Sequence, residues 1–151
     1  MSNSNVLLLS VGGSSEPNIH VIKERKPEKI IFFSSESSRE KVEQEILPAV
    51  GYFPRCGHIV TPDAEDVGVS TFELLKKMPE ELRKLGETID WPQLCGYTGG
   101  TKTMSAAVVW ASSRFPCELL YVGGQKRSKG GWELLKTGRS SWWPLKIHGT
   151  Q

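Results

Sequence analysis

Gly96-Tyr97-Thr98-Gly99-Gly100-Thr101-Lys102-Thr103-Met104-Ser105 joins a short apolar run, Leu94-Cys95, to Met104–Phe115, a stretch rich in Ala, Val and Ser. An apolar run, a glycine turn and a helix-forming segment read as a strand ending and a helix opening, at Lys102 or Thr103. Two glycines let the backbone take positive φ or approach a ligand closely. The hydroxyls, one lysine and the free N–H groups of the helix start then face one point, which is how a chain builds an anion site. A nucleoside-triphosphate loop, G-x-x-x-x-G-K-[ST], does not fit. Thr101 separates Gly100 from Lys102, and no Asp follows an apolar strand to hold magnesium. The plain alternative is a ligand-free turn with a threonine N-cap; the density of hydroxyls around the glycines weighs against it.

Upstream, Val6-Leu7-Leu8-Leu9 continues to Ser10 and Val11 without alternation, the pattern of a strand buried on both faces. It ends at Gly12-Gly13-Ser14-Ser15, where Ser15 reads as an N-cap with Pro17 in the first turn. Ile19 and Ile22 predict one apolar helix face, and Lys26-Pro27 a stop. Lys29–Phe33 is a second buried strand, closed by Ser34-Ser35-Glu36-Ser37, and a charged helix carrying Val42, Ile46 and Leu47 follows, with Pro48 after it. Ile59-Val60 marks a short third strand. Asp63–Asp66 reads as solvated charge before a helix rather than a metal site. Ser70–Leu85 predicts a long helix interrupted at Pro79 and capped by Gly86. Gln93–Tyr97 and Cys117–Val122 are further strands. Trp132–Lys136 reads as a last, antiparallel one, followed by the apolar Trp142-Trp143-Pro144.

Alternating strands and helices of these lengths predict a doubly wound, mainly parallel α/β sheet with helices on both faces and an antiparallel edge strand near the C-terminus. In such sheets ligands bind beyond the carboxyl ends of strands, where the strand order reverses. If the first strand neighbours the fourth, Gly12–Ser15 and Thr98–Lys102 face each other across that crevice.

With 151 residues, 38% hydrophobic and 24% charged, the chain is one soluble domain with a real core. Its net charge of +2 excludes no partner class, but Lys126, Arg127, Lys129, Lys136 and Arg139 against Glu133 form a local basic patch. Cys56, Cys95 and Cys117 are too far apart in sequence for a zinc knuckle or a Cys-x-x-Cys pair, and His20, His58 and His148 are scattered. No signal peptide or membrane-length run is present, so a cytoplasmic protein with reduced thiols, no metal and no cofactor is expected.

The segments VGGSSEPNIHVIKERKPEKIIFFSSESS near the start and YTGGTKTMSAAV near residue 100 resemble the CARF domains of CRISPR-associated proteins, over about Val6–Trp132 by order of elements. The TGGTK-x-MS run is the specific part. CARF domains are dinucleotide-fold modules that dimerise and bind cyclic oligoadenylate, most often the four-adenosine ring, across the dimer two-fold. They switch on a fused effector, and some cut the ring without metal. The resemblance implies a homodimer in which Gly99, Gly100 and Lys102 hold phosphates and Ser14 and Ser15 supply hydroxyls. It extends the ligand pocket to Gly12, Gly13, Ser35, Thr98, Thr101 and Met104, with Tyr97, Glu36 and Gln125 as candidates around adenine. Cleavage would be attack of a ribose 2′-hydroxyl on the neighbouring phosphate, with Lys102 stabilising charge and Ser14 or Thr101 positioning. No histidine lies in either loop to serve as a base, which predicts slow turnover.

No effector signature accompanies these loops. Neither Arg114 nor Arg139 has a His at R-x-x-x-x-H spacing, and Pro62-Asp63 lacks the E-x-K of a nuclease. Three readings follow: the sensor part of a longer effector, a stand-alone ring nuclease, or an unrelated nucleotide- or RNA-binding protein with a similar turn, RNA being the partner that Lys126–Lys129 would contact.

Overall fold

Every residue of β1 (Val6–Ser10) is buried, because helices cover both faces of the sheet in which it is central. Val6 and Leu8 face one core, Leu7 and Leu9 the other. The structure, a computed structural model, describes residues 5–123 and the backbone of one further strand, Glu133–Arg139. Gln125, Lys126–Lys129, Trp132 and Trp142-Trp143-Pro144 lie outside the described residues.

After β1 come α1 (Glu16–Arg25), β2 (Lys29–Ser35) and a π-helical turn (Val42–Ile46) that runs into the short helix α2 (Leu47–Val50). Then follow β3 (Arg55–Thr61), α3 (Val67–Lys84), β4 (Leu94–Gly96), α4 (Lys102–Ser112), β5 (Glu118–Gly123) and β6 (Glu133–Arg139). The sheet order is β3-β2-β1-β4-β5-β6, with the first five strands parallel and β6 antiparallel to β5. One core, built from Leu8, Ile31, Phe33, Leu74, Met78 and Val108, lies under α3 and α4. The other, with Leu9, Val21, Ile22, Phe32 and Ile46, lies under α1 and the π-helical turn. This is the doubly wound α/β architecture that the alternation predicts. No helix of the described residues is long and apolar enough to cross a membrane.

Local differences from the pattern have plain causes. β3 is longer than Ile59-Val60, and its exposure alternates, with Gly57, Ile59 and Thr61 buried, because it is the sheet's edge. The buried side of α1 is Pro17, Asn18, Val21 and Ile22, with Ile19 only partly covered. Its end is as the Lys26-Pro27 pair demands: Lys26 sits at φ 46, outside the right-handed helix that a following proline disfavours. Pro48 lies inside α2 rather than after it. α3 begins earlier than predicted, where the Asp66 carboxylate accepts from the Val69 N–H at 2.9 Å, so one acid of the loop is an N-cap. It then runs through Pro79 without a break. Pro79 is exposed, while Met78 and Leu82 on either side are buried in one core, which offsets the lost backbone bond. Gly86 closes α3 with paired bonds, Gly86 N to Arg83 O and Glu87 N to Leu82 O.

Candidate functional site

β1 and β4 are adjacent and parallel, pairing Leu8 with Cys95 and Leu9 with Gly96. β2 continues the sheet on one side of this pair and β5 on the other. Chain connections run outward in opposite senses from here, so the loops leaving β1 and β4 part and leave a crevice at their carboxyl ends. Gly12 and Gly100 touch across it: a Cβ on Gly12 would stand 2.3 Å from the Gly100 nitrogen. Gly100 has φ +89, a conformation that favours glycine.

The β4–α4 loop is held from several directions. Ser10 Oγ donates to the Gly99 carbonyl at 2.6 Å, and Ser105 Oγ to the same oxygen at 3.2 Å. Asn18, buried on α1, donates its side-chain amide to the Ser10 carbonyl at 3.1 Å. That carbonyl would be 2.4 Å from a Cβ on Gly99, so this glycine too is set by close approach. Thr98 Oγ1 accepts from the Val122 N–H of β5 at 2.8 Å. Thr101 is the N-cap of α4: its hydroxyl accepts from the Met104 N–H at 3.0 Å and donates to the Ala64 carbonyl at 2.6 Å.

Between these loops and the end of β2 lies a cavity of about 230 Å3. Of the residues predicted for the ligand, Gly12, Gly13, Ser35, Gly100, Thr101 and Met104 line it. Val11, Ser37, Ser38 and Lys41 line it as well. The serines form a small lattice, with Ser38 Oγ donating to the Val11 carbonyl at 3.1 Å and lying 3.0 Å from Ser35 Oγ. Glycine backbone, the start of an eleven-residue helix, the Ser35 and Ser37 hydroxyls and one ammonium thus converge on the space, a set suited to an oxyanion. The Ser38 and Thr101 protons are spent on the Val11 and Ala64 carbonyls.

The other predicted residues stand around it. Gly99 and Thr98 hold the loop from behind through the bonds above. Lys102 is the first residue of α4 and exposed, and it enters none of the salt bridges among the described residues. Ser14 is exposed at the lip, 3.4 Å from a Glu16 oxygen. Ser15 occupies the N-cap position of α1 but does not cap it; its hydroxyl donates to Glu45 Oε1 at 2.6 Å. That bond, then the Lys41 ammonium, holds the Glu45 carboxyl below its ordinary range. Tyr97 lies with its ring tilted against Tyr121, centroids 5.7 Å apart, and Glu36 is exposed. Gln125 lies outside the described residues.

Sequence reading missed Ser10, Asn18, Ser38 and Lys41. A signal was present for two of them: Ser10 ends an all-apolar strand, and Asn18 stands beside apolar positions in the first turn of α1. Nothing local marks Ser38 or Lys41, which reach the crevice only because β2 neighbours β1.

Among the described residues no group of His, Cys, Asp and Glu is arranged to hold a metal ion. Below the crevice, Cys95 and Cys117 are buried with their sulfurs 3.2 Å apart, and Ser112 Oγ donates to Cys95 at 3.4 Å. Burial and the neighbouring thiol push the Cys95 thiol well up, so it stays protonated, as a core hydrophobe does.

No protein-family profile matches the chain, and no curated protein matches it significantly. Solved structures do. Can2 from Sulfobacillus thermosulfidooxidans, in complex with cyclic tetra-adenylate, superposes with a TM-score of 0.63 at 14% identity, over 89% of this chain and 37% of that one. A type III CRISPR defence DNA nuclease activated by cyclic oligoadenylate gives 0.62 at 15%, over 92% and 21%. Enterococcus italicus Csm6, bound to cyclic hexa-2′-fluoro-hexa-dAMP, gives 0.58 at 13%, over 87% and 41%. These likenesses show a common fold. The chain spans less than half the length of each of these proteins.

Proposed function

We propose that this chain is a CARF-type domain that binds cyclic oligoadenylate, cyclic tetra-adenylate foremost, across the two-fold axis of a homodimer in type III CRISPR antiviral signalling. The observation that carries the reading is the meeting of Gly12 and Gly100 at the β1/β4 switch point, above a cavity lined by hydroxyls, backbone and one cation. The fold shared with structures solved with cyclic oligoadenylates supports the same ligand class.

The size of the cavity argues for two copies. About 230 Å3 takes a fraction of a ring of four adenosines, so a ring is held only where two crevices join. A seam between α3 and α4 supports a second copy there. Phe72 and Trp110 are 59% and 60% exposed beside Val67 and Leu75, with little polar surface between them. The seam starts at Val67, three residues along the chain from Ala64, whose carbonyl accepts from Thr101 of the crevice.

Ring cleavage is the second half of the reading. The 2′-oxygen forms a bond to phosphorus, the bond from phosphorus to the 5′-oxygen breaks, and the 2′-proton ends on that 5′-oxygen. The products carry a 2′,3′-cyclic phosphate and a 5′-hydroxyl. Lys102 supplies charge stabilisation from the rim and Ser14 the positioning hydroxyl. Thr101 acts through its remaining lone pair, since its proton is committed to Ala64. The domain serves either as the sensor part of a longer effector or as a dedicated ring nuclease.

The test is titration with cyclic tetra-adenylate without metal, following heat and, by chromatography, products. Binding of one ring per two chains is expected, with at most slow conversion to linear di-adenylate. Absence of binding to this ring and to cyclic hexa-adenylate sinks the reading. Trp110→Glu should convert a dimer to monomers in sedimentation and weaken ring binding in parallel.

A further inference from the structure

Among the described residues, Lys41 is the one charged side chain lining the crevice, while Lys102, the cation marked by sequence, does not line it. Its position follows from topology. β2 ends at Ser35, the serine-rich turn leads back over the end of β1, and Lys41 stands immediately before the π-helical turn. Its ammonium rests 3.3 Å from Glu45 Oε2, and the other oxygen of that carboxylate accepts from Ser15 Oγ at 2.6 Å. Ser15 belongs to the loop after β1, so Ser15, Glu45 and Lys41 form a chain from the first glycine loop to the cavity wall.

The Lys41–Glu45 contact is weak by its nature. It is a pair at i, i+4 with lysine N-terminal to glutamate, the less favourable order on a helix. Both side chains retain solvent access, 29% and 47%, which screens the attraction. The stronger of the two bonds to Glu45 is the short one from Ser15. An ammonium held this loosely at the wall of a cavity that also holds a helix start is available to a phosphodiester oxygen, while Glu45 keeps its bond to the first loop.

We infer that Lys41 is a ligand-contacting cation of this crevice: its ammonium moves off Glu45 onto a phosphodiester oxygen of the nucleotide, while Ser15 holds Glu45 in place. This rests on the function proposed above. It adds a cation inside the cavity to Lys102 at the rim, and it makes Glu45 a positioning residue that parks Lys41 at the cavity wall in the free protein and stays tied to the first loop through Ser15.

The experiment is calorimetric titration of cyclic tetra-adenylate and cyclic hexa-adenylate into wild type, K41M, K41R, E45Q and the double variant K41M/E45Q. Lys77→Met, on the outer surface of α3, is the control for loss of one positive charge. Melting temperatures establish folding, with Lys41→Gln as a second variant if K41M melts early. Expected is a tenfold to hundredfold weakening in K41M, from loss of one charge-assisted hydrogen bond, with the control unchanged. The double variant stays weak, K41R recovers most of the affinity, and K41M lowers the salt dependence of binding. Binding by K41M within twofold of wild type overturns the assignment. So does recovery in K41M/E45Q, which would mean that Lys41 only masks Glu45. If wild type binds neither ring, the functional reading fails by itself. The same comparison with linear di-adenylate bearing a 5′-phosphate then decides Lys41, and no binding there overturns it as well.

Discussion

The two loops that form the crevice are built in opposite ways. The β4–α4 loop is tied down at every turn: Thr98 to β5, the Gly99 carbonyl to Ser10 and Ser105, and Thr101 to both Met104 and Ala64. The β1–α1 loop is anchored at Gly12 against that wall and at the buried Ser15 on Glu45, and is open between them. Nothing lies within 4 Å of where a Cβ on Gly13 would stand, Ser14 is exposed, and Ser15 reaches away to Glu45. The rigid wall presents its backbone in one arrangement before any ligand arrives, which lowers the ordering cost of binding. The open wall has room to close on what enters. A crevice of this kind gains affinity from one side and adaptability from the other.

Substitution can break that contrast. Gly12→Ala and Gly99→Ala force a methyl to 2.3–2.4 Å from backbone atoms that cannot move singly. We expect a cost at the upper end of the roughly 1–3 kcal/mol of overpacking. That is a fall of about 5–10 °C in Tm by calorimetry, with loss of ring binding. Either variant melting like wild type would mean that the two loops do not meet as described.

Ser10→Ala comes next. It removes a buried donor from the Gly99 carbonyl but leaves Ser105 on the same oxygen. About 1–2 kcal/mol in denaturant unfolding is expected, with ring affinity reduced more than tenfold because the wall loosens. An equal, small effect on both would show that Ser10 is packing only.

Thr101→Ala should cost about 1 kcal/mol through the lost N-cap, and Thr101→Ser should recover most of it, as both hydrogen bonds use the hydroxyl. Gly13→Ala sharpens the comparison from the other side. With φ outside the left-handed region and open space around it, its stability should remain within about 0.5 kcal/mol of wild type. A large loss there would mean that the first loop is as constrained as the second.

Much of this architecture was legible in the sequence. Unbroken apolar runs such as Val6–Leu9 report burial on two faces, and strands of that kind alternating with helices imply a parallel sheet. The glycine pairs at 12–13 and 99–100 mark chain reversals at strand ends for the same local reason. The roles within the site were less legible. Ser15 has an N-cap's sequence context but a different partner, since Glu45 lies 30 residues away and is brought near only by folding. Thr101, by contrast, caps as its sequence position suggests, because a cap is a bond to the third residue along. Pro79 reads as an interruption because sequence carries its lost hydrogen bond but not the buried Met78 and Leu82 that hold the helix on either side.

Short-range signals in the sequence carry the type and order of the strands and helices, which runs are buried on both faces, and which two loops are rich in glycine and hydroxyls, but not the starts of β3 and α3. The tertiary structure alone decided that β1 neighbours β4, that Gly12 presses on Gly100, and that Lys41 rather than Lys102 lines the cavity. The reason is physical. Backbone preference and hydrophobic periodicity act over a few residues, whereas a crevice is made of atoms brought together from loops some 25 to 90 residues apart by strand order and packing.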